Sequence, residues 1–159
     1  MSNYAFVIDT DKHPQNPVHP AQARKLLSEE KAAVYRRYPF TIILKESIPD
    51  ADIKPLEIKI DPGSKTTGIA ILSGDNVIWG AELTHRGQSI KASLDSRRAI
   101  RRGRRNRKTR YRPARFLNRT KPKEWLAPSL LHRVLTTETW VKRLIKFAPI
   151  AQIAQELVR

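Results

Sequence analysis

"LEIKIDPGSKTTGIAIL", Leu56 to Leu72, runs from an apolar strand into one carboxylate, Asp61, then through a Pro62-Gly63-Ser64 turn into a second apolar strand. Alternation of apolar and polar residues predicts strands over Leu56–Asp61 and Thr67–Leu72. A Gly74-Asp75-Asn76 turn then leads to a third strand, Val77–Leu83, which completes a meander. A carboxylate at a strand end, followed by small residues, is a common metal-binding arrangement, because the strand fixes the oxygen and Gly63 lets a phosphate approach the backbone. The same letters also suit an ordinary turn, since Asp before Pro-Gly is standard turn chemistry. "GSKTTG" is not a Walker A loop, because the glycine required four residues before a Gly-Lys pair is missing.

Outside this stretch the chain is strongly basic. Its 159 residues carry 31 Lys and Arg against 15 Asp and Glu, a formal net charge of +16. With 40% hydrophobic residues it has enough apolar material for a core, so the excess charge points to a polyanionic partner, nucleic acid before membrane. Cysteine is absent, which excludes disulfides, thiolate catalysis and cysteine-ligated zinc. The N-terminus turns charged before a signal-peptide core can form, and no apolar run reaches the ~20 residues of a membrane span. A cytoplasmic protein is expected.

Upstream of the meander, Tyr4–Ile8 reads as a strand, Asp9–Pro20 as a Pro- and His-bearing loop, and Ala21–Lys31 as a helix with Ala23, Leu26 and Leu27 on one face. Two β-rich runs in Ala32–Lys45 follow, and Glu46–Pro55 reads as an exit linker. Downstream, Gln88 to about Arg112 reads as a helix dominated by arginine. Leu130–Phe147 has helical spacing, with Leu131, Val134, Leu135, Trp140, Val141, Leu144 and Ile145 as its apolar set. Ile150–Val158 closes as a strand bearing Glu156. An acid-bearing strand, two more strands, a helical crossover and a strand with a second acid is the order that opens a ribonuclease H-like fold. There the fourth strand lies parallel beside the first, so Glu156 is expected next to Asp61. The remaining acids are read as loop or basic-helix residues, which leaves these two as the strand-borne pair. Glu156 taken alone would be an ordinary solvent-facing residue.

"SRRAIRRGRRNRKTRYRPAR", Ser96 to Arg115, holds ten arginines and Lys108 without one acid. Arginine falls on nearly every side of the helix, so no face suits a core, and its planar fork matches phosphate better than lysine does. Arg97, Arg98, Arg101, Arg102, Arg104, Arg105, Arg107, Lys108, Arg110 and Arg112 are the candidate nucleic-acid-binding residues, with contacts to phosphates rather than base sequence. Tyr111 and Phe116 flank the run. His13, His19, His85 and His132 lack metal spacing and are read as structural or phosphate-facing. Trp79, Trp125 and Trp140 are read as core or core-rim residues.

Four of these segments, in this order, resemble the N-terminal part of IscB, the transposon-encoded RNA-guided DNA endonucleases, and the RRXXR-domain proteins. Asn16–Leu44 sits where that family has its small PLMP module, with Pro17-Val18-His19-Pro20 a divergent form of the signature. "EIKIDPGSKTTGIAIL" resembles the first RuvC segment, "SRRAIRRGRRNRKTRYR" the bridge helix along guide RNA, and "WVKRLIKFAPIAQIAQELVR" the second RuvC segment. The resemblance implies an α/β chain with an incomplete ribonuclease H-like (RuvC) fold. It divides the chain into a PLMP-like module over 1–50, the first RuvC segment over 51–87, the bridge helix over 88–119 and the second RuvC segment over 120–159. It further implies a metal-dependent endonuclease with Asp61 and Glu156 as catalytic ligands of Mg2+ or Mn2+. Guide RNA and target DNA are the implied partners, with the protein a monomer in a ribonucleoprotein and no membrane role. The family's HNH domain and third RuvC segment are absent from these residues, so the chain alone is expected not to cut. The alternatives are a stand-alone nucleic-acid-binding module and a degenerate transposon remnant without catalysis.

Overall fold

The computed structural model describes residues 3–48, 52–107 and 123–157. It is a mixed α/β structure with two four-stranded sheets, each containing parallel and antiparallel pairs, and three helices among the described residues. The chain divides into two compact units. One runs to Thr84 and resumes at Thr137; the other spans His85–Thr136.

In the first unit, the first sheet comprises β1 (Ala5–Ile8), β2 (Pro14–Val18), β3 (Ala32–Arg36) and β4 (Thr41–Leu44), in the order β2-β1-β4-β3. All four residues of β1 are buried, because this strand is covered on both faces. Ala5 and Val7 pack with Ala23 of α1 (Pro20–Ser28) and with Ile42. Phe6 and Ile8 point the other way, into the core under the second sheet. The strand β2 lies within the stretch expected to be loop. Pro14 and Pro17 argue against a strand interior, but β2 is an edge strand, where a missing N–H has no partner to lose. The helix α1 stops at Ser28, before the expected Lys31, and Glu30 takes a positive φ of 56° just beyond it.

The second sheet comprises β5 (Leu56–Pro62), β6 (Thr66–Ser73), β7 (Asn76–Thr84) and β8 (Ile150–Gln155), in the order β7-β6-β5-β8. The expected meander is present, and β8 lies parallel beside β5. Leu56, Ile58 and Ile60 of β5, Ile69 and Ile71 of β6, and Ile78 and Trp79 of β7 face one core, where Phe6 meets Trp79 at 5.8 Å between ring centroids. Phe6 and Ile8 of β1 therefore join the core of the second sheet, with Tyr4 and Ile43 packed against it; the Tyr4 N–H also donates to the Ile78 carbonyl at 2.9 Å.

The long helix α3 (Pro128–Ile145) passes from one unit into the other. Of its expected apolar set, Leu144 is fully buried and Trp140 and Val141 pack against the core, whereas Leu131, Val134, Leu135 and Ile145 are exposed. Helical spacing marks which residues share a face but not whether anything covers it. The helix α2 (Gly87–Asn106) ends within the described residues at Arg107, its C-cap. The expected continuation toward Arg112 lies outside them.

Candidate functional site

Alternation along β5 and β6 sends their isoleucines to the core and another set of residues to the opposite face. On β5 that set includes Glu57, Lys59 and Asp61, and the flanking strands contribute Gly68, Ala70, Gly80, Glu82 and Ala154. The result is a shallow trough of about 580 Å³. Its floor is made of Gly68, Ala70 and Gly80, and its acids are Asp61, Glu82 and Glu156.

Register explains how the acids meet. Asp61 is opposite Gly68, and Gly68 is opposite Glu82. On the other side of β5, Ile60 is paired with Gln155, and the Glu156 N–H donates to the Ile60 carbonyl at 3.0 Å. The strand expected to run to Val158 ends at Gln155, so Glu156 lies one residue beyond β8, tied to β5 by that bond; it comes to the level of Asp61 and lines the same trough. The expectation that the remaining acids lie in loops or the basic helix is corrected by Glu57 on β5 and, lining the trough, by Glu82. Glu82 lies within the strand expected over Val77–Leu83, opposite in phase to Trp79, Ala81 and Leu83, and that phase was the readable signal.

Gly63 has a local structural reason for being glycine. A Cβ there would overlap the Thr66 carbonyl oxygen across the tight β5–β6 turn. The turn thus excludes any side chain independently of a phosphate, and it holds Asp61 at the strand end. Lys59, two residues before Asp61 on the same face, lies 3.9 Å from Glu57.

In the second unit, Arg97, Arg98, Arg101, Arg102, Arg104 and Arg105 lie on α2, and they and Arg107 are all exposed. None of these arginines pairs with a carboxylate among the described residues. Lys108, Arg110, Arg112, Tyr111 and Phe116 lie outside the described residues. Gly103 lies near the C-terminal end of α2 with open space where a Cβ would be.

A further cluster escaped sequence reading. Asp9, Asp11 and His13 each offer a ligand atom, and these atoms lie within 4.8 Å of one another, a grouping able to hold a metal ion. Asp9 is buried and the other two are exposed. The His13 N–H donates to Asp9 Oδ1 at 2.8 Å, and Ser47 Oγ donates to Asp11 Oδ2 at 2.7 Å. Burial pushes the Asp9 carboxyl up, but the His13 N–H, the His13 ring charge and the Asp11 N–H together hold it below the ordinary carboxylate value. The i, i+2, i+4 spacing in Asp-Thr-Asp-Lys-His was the available signal; the left-handed Lys12, φ 67°, which folds the loop back, was not legible. Of the other histidines, His19 caps α1 by accepting from the Ala21 N–H, and His85 is buried.

The chain belongs to the RRXRR family, whose model, described as RRXRR protein, matches residues 5–159. Arg101-Arg102-Gly103-Arg104-Arg105 on α2 fits the lettering of that name. No curated protein matches the chain. Family and surface together indicate a nucleic-acid-related role. No helix among the described residues is long and apolar enough to cross a membrane.

Proposed function

We propose that this chain is the N-terminal half of an RNA-guided DNA endonuclease of the IscB type, with a ribonuclease H-like RuvC site. In this reading α2 lies along guide RNA and binds its phosphates, while Asp61 and Glu156 hold the Mg2+ or Mn2+ of a phosphodiesterase. The observation that carries it is that Asp61, on β5, and Glu156, just past the end of the parallel neighbour β8, come to one level and line one trough.

The donor set fits the ion. Carboxylate oxygens are the hard ligands that magnesium prefers, and the ion keeps waters and phosphate oxygens in its remaining positions. The small residues of the trough floor let a nucleic-acid backbone reach the carboxylates. When bound, such ions stabilise the attacking and leaving oxygens of an in-line displacement. The protein's own part is to fix one carboxylate on β5 and a second at the end of β8, and to hold the polyanion through the arginines.

Two-metal cleavage needs more ligands than Asp61 and Glu156, and Glu82, two strands from Asp61, adds at most one. The chain by itself is therefore expected to bind metal and RNA without efficient cutting. Plasmid nicking with Mg2+ and cognate RNA, run with and without added RuvC and HNH polypeptide and beside Asp61→Ala, tests this. Cleavage that requires the added polypeptide and is lost in Asp61→Ala supports the reading. RNA binding with no metal affinity leaves only a stand-alone binding module.

A further inference from the structure

The first unit carries a second basic surface, separate from α2 in sequence, at the edge strand β3 and the C-terminal end of α3. A bulge in the β3–β4 pairing between Val34 and Arg36 breaks the strand's alternation. Consequently Tyr35 and Arg36 both reach Phe147: the Tyr35 ring meets it edge-on at 6.1 Å, and the Arg36 guanidinium lies 5.7 Å from its centroid. One step along, Tyr38 stands edge-on to Trp140 at 5.5 Å, and Trp140 is covered by Arg143 at 4.5 Å.

These aromatic rings are not spent on a core. Tyr35 remains 44% exposed and Tyr38 58% exposed, and Val34 beside them is exposed on β3, the outermost strand of its sheet among the described residues. The charge around them is of one sign. No acid occurs from Lys31 to Lys45 or from Thr139 to Gln155, and Glu138 just before the second stretch is paired with Lys142. Arg36, Arg37 and Arg143 have no carboxylate partner among the described residues. Arg36 uses one N–H on the Tyr38 carbonyl at 3.0 Å, which leaves the rest of its fork for another acceptor.

Exposed rings held upright by neighbours, interleaved with unpaired guanidinium groups, are the components of a single-strand platform: bases stack on the rings and phosphates pair with the arginines. A duplex hides its base faces and offers such rings nothing. We infer that the Tyr35–Tyr38 edge, with Arg36, Arg37 and Arg143, binds an unpaired stretch of nucleic acid. The surface rests on its own geometry and does not require the Asp61–Glu156 site.

The test uses the full chain with Arg101, Arg102, Arg104 and Arg105 changed to Gln, so that binding through α2 is reduced. The probes are fluorescein-labelled oligouridylate and oligothymidylate of roughly 16 nucleotides, the upper end of an ordinary single-strand site, and a hairpin duplex. Tyr38→Ala and Tyr35→Ala should each weaken both single strands by roughly 5- to 100-fold, as loss of one stacked base does, while the duplex is unaffected. Tyr38→Phe, which keeps the ring, should restore affinity. Arg37→Gln, at an exposed position, should reduce the single-strand salt slope by about 0.7, the value for one lost phosphate contact. Equal losses for duplex and single strands overturn the inference, as do unchanged affinity in the folded tyrosine variants or an unchanged slope in Arg37→Gln. A failure here leaves metal binding by Asp61 untouched, so the two readings are separable.

Discussion

Asp61 and Glu82 stand in one cross-strand row with only Gly68 between them. Because Gly68 has no side chain, the two acids border the same trough from strands that do not touch each other, and Glu156 borders it from beyond β5. A Cβ on Gly68 would lie 3.7 Å from the Asp61 Cβ, an ordinary contact, so alanine fits there, while a branched side chain would occupy the floor between the acids.

Metal affinity should follow that row. Asp61→Asn and Glu156→Gln should each lower Mn2+ affinity by about tenfold or more, since each removes a charged oxygen ligand. Glu82→Gln should cost less, because Glu82 is two strands from Asp61. Gly68→Val should reduce affinity while every acid remains. Calorimetric titration with Mn2+, with circular dichroism to verify the fold, reads all four. Unchanged affinity in Asp61→Asn would remove the metal site from the proposed function.

The β5–β6 turn should be intolerant of any side chain at position 63. Gly63→Ala places a methyl group against the Thr66 carbonyl oxygen, and neither strand end can move without breaking the Pro62–Thr67 pairing. Overpacking of this kind costs about 1–3 kcal/mol. A urea titration should show the loss, and Mn2+ affinity should fall with it because Asp61 moves with the turn. Gly103→Ala makes the opposite case. With open space around it, the change should stabilise α2 by about 0.5–1 kcal/mol, the usual cost of glycine in a helix interior.

Much of this was legible in the chain because hydrophobic period decides local structure. The isoleucines of Leu56–Leu72 alternate cleanly, so β5, β6 and the face of β5 on which Asp61 stands follow from the letters. The arginine run could be read because no core can accept it. Three things were hidden. The strand at Pro14–Val18 depends on its place at a sheet edge, which is a tertiary fact. The sharing of one core by Phe6, Ile8 and the second sheet depends on packing between segments some fifty residues apart in sequence, for which no local pattern exists. The bulge that turns Tyr35 and Arg36 to the same side follows from pairing with β4, not from β3 itself.

Binding through α2 should be electrostatic and strongly salt-dependent. If about six phosphates are neutralised, the log–log slope against salt on duplex should be roughly −5. Changing Arg101, Arg102, Arg104 and Arg105 to Gln should lower affinity and flatten the slope, with little change in sequence preference, because phosphate contacts carry no base information. Filter binding across a salt series measures both. A salt-independent affinity would contradict the assignment of α2.

Acid should weaken the two units in separate windows. Burial lowers the His85 pKa below its ordinary 6.5, and the neighbouring Arg133 and His132 charges lower it further. The unfolded chain then binds a proton at this residue before the folded one does. Stability of the unit containing α2 should therefore fall as pH drops below about 6.5, and level off once the folded form is protonated too. Asp9 behaves differently, since its folded value is held below the ordinary 3.8. Its contribution is present in full above that value and is lost as pH falls through the folded one. Acidification from pH 7 to 5 should thus loosen amides of α2 and spare those of β1 and β2, which weaken only below about pH 4. Hydrogen exchange followed by mass spectrometry in the presence of a chelator separates the two. His85→Gln should abolish the upper transition alone, and Asp9→Asn the lower one. Loss of both transitions in either variant would show that the units titrate as one, against the division at Thr84 and Thr137.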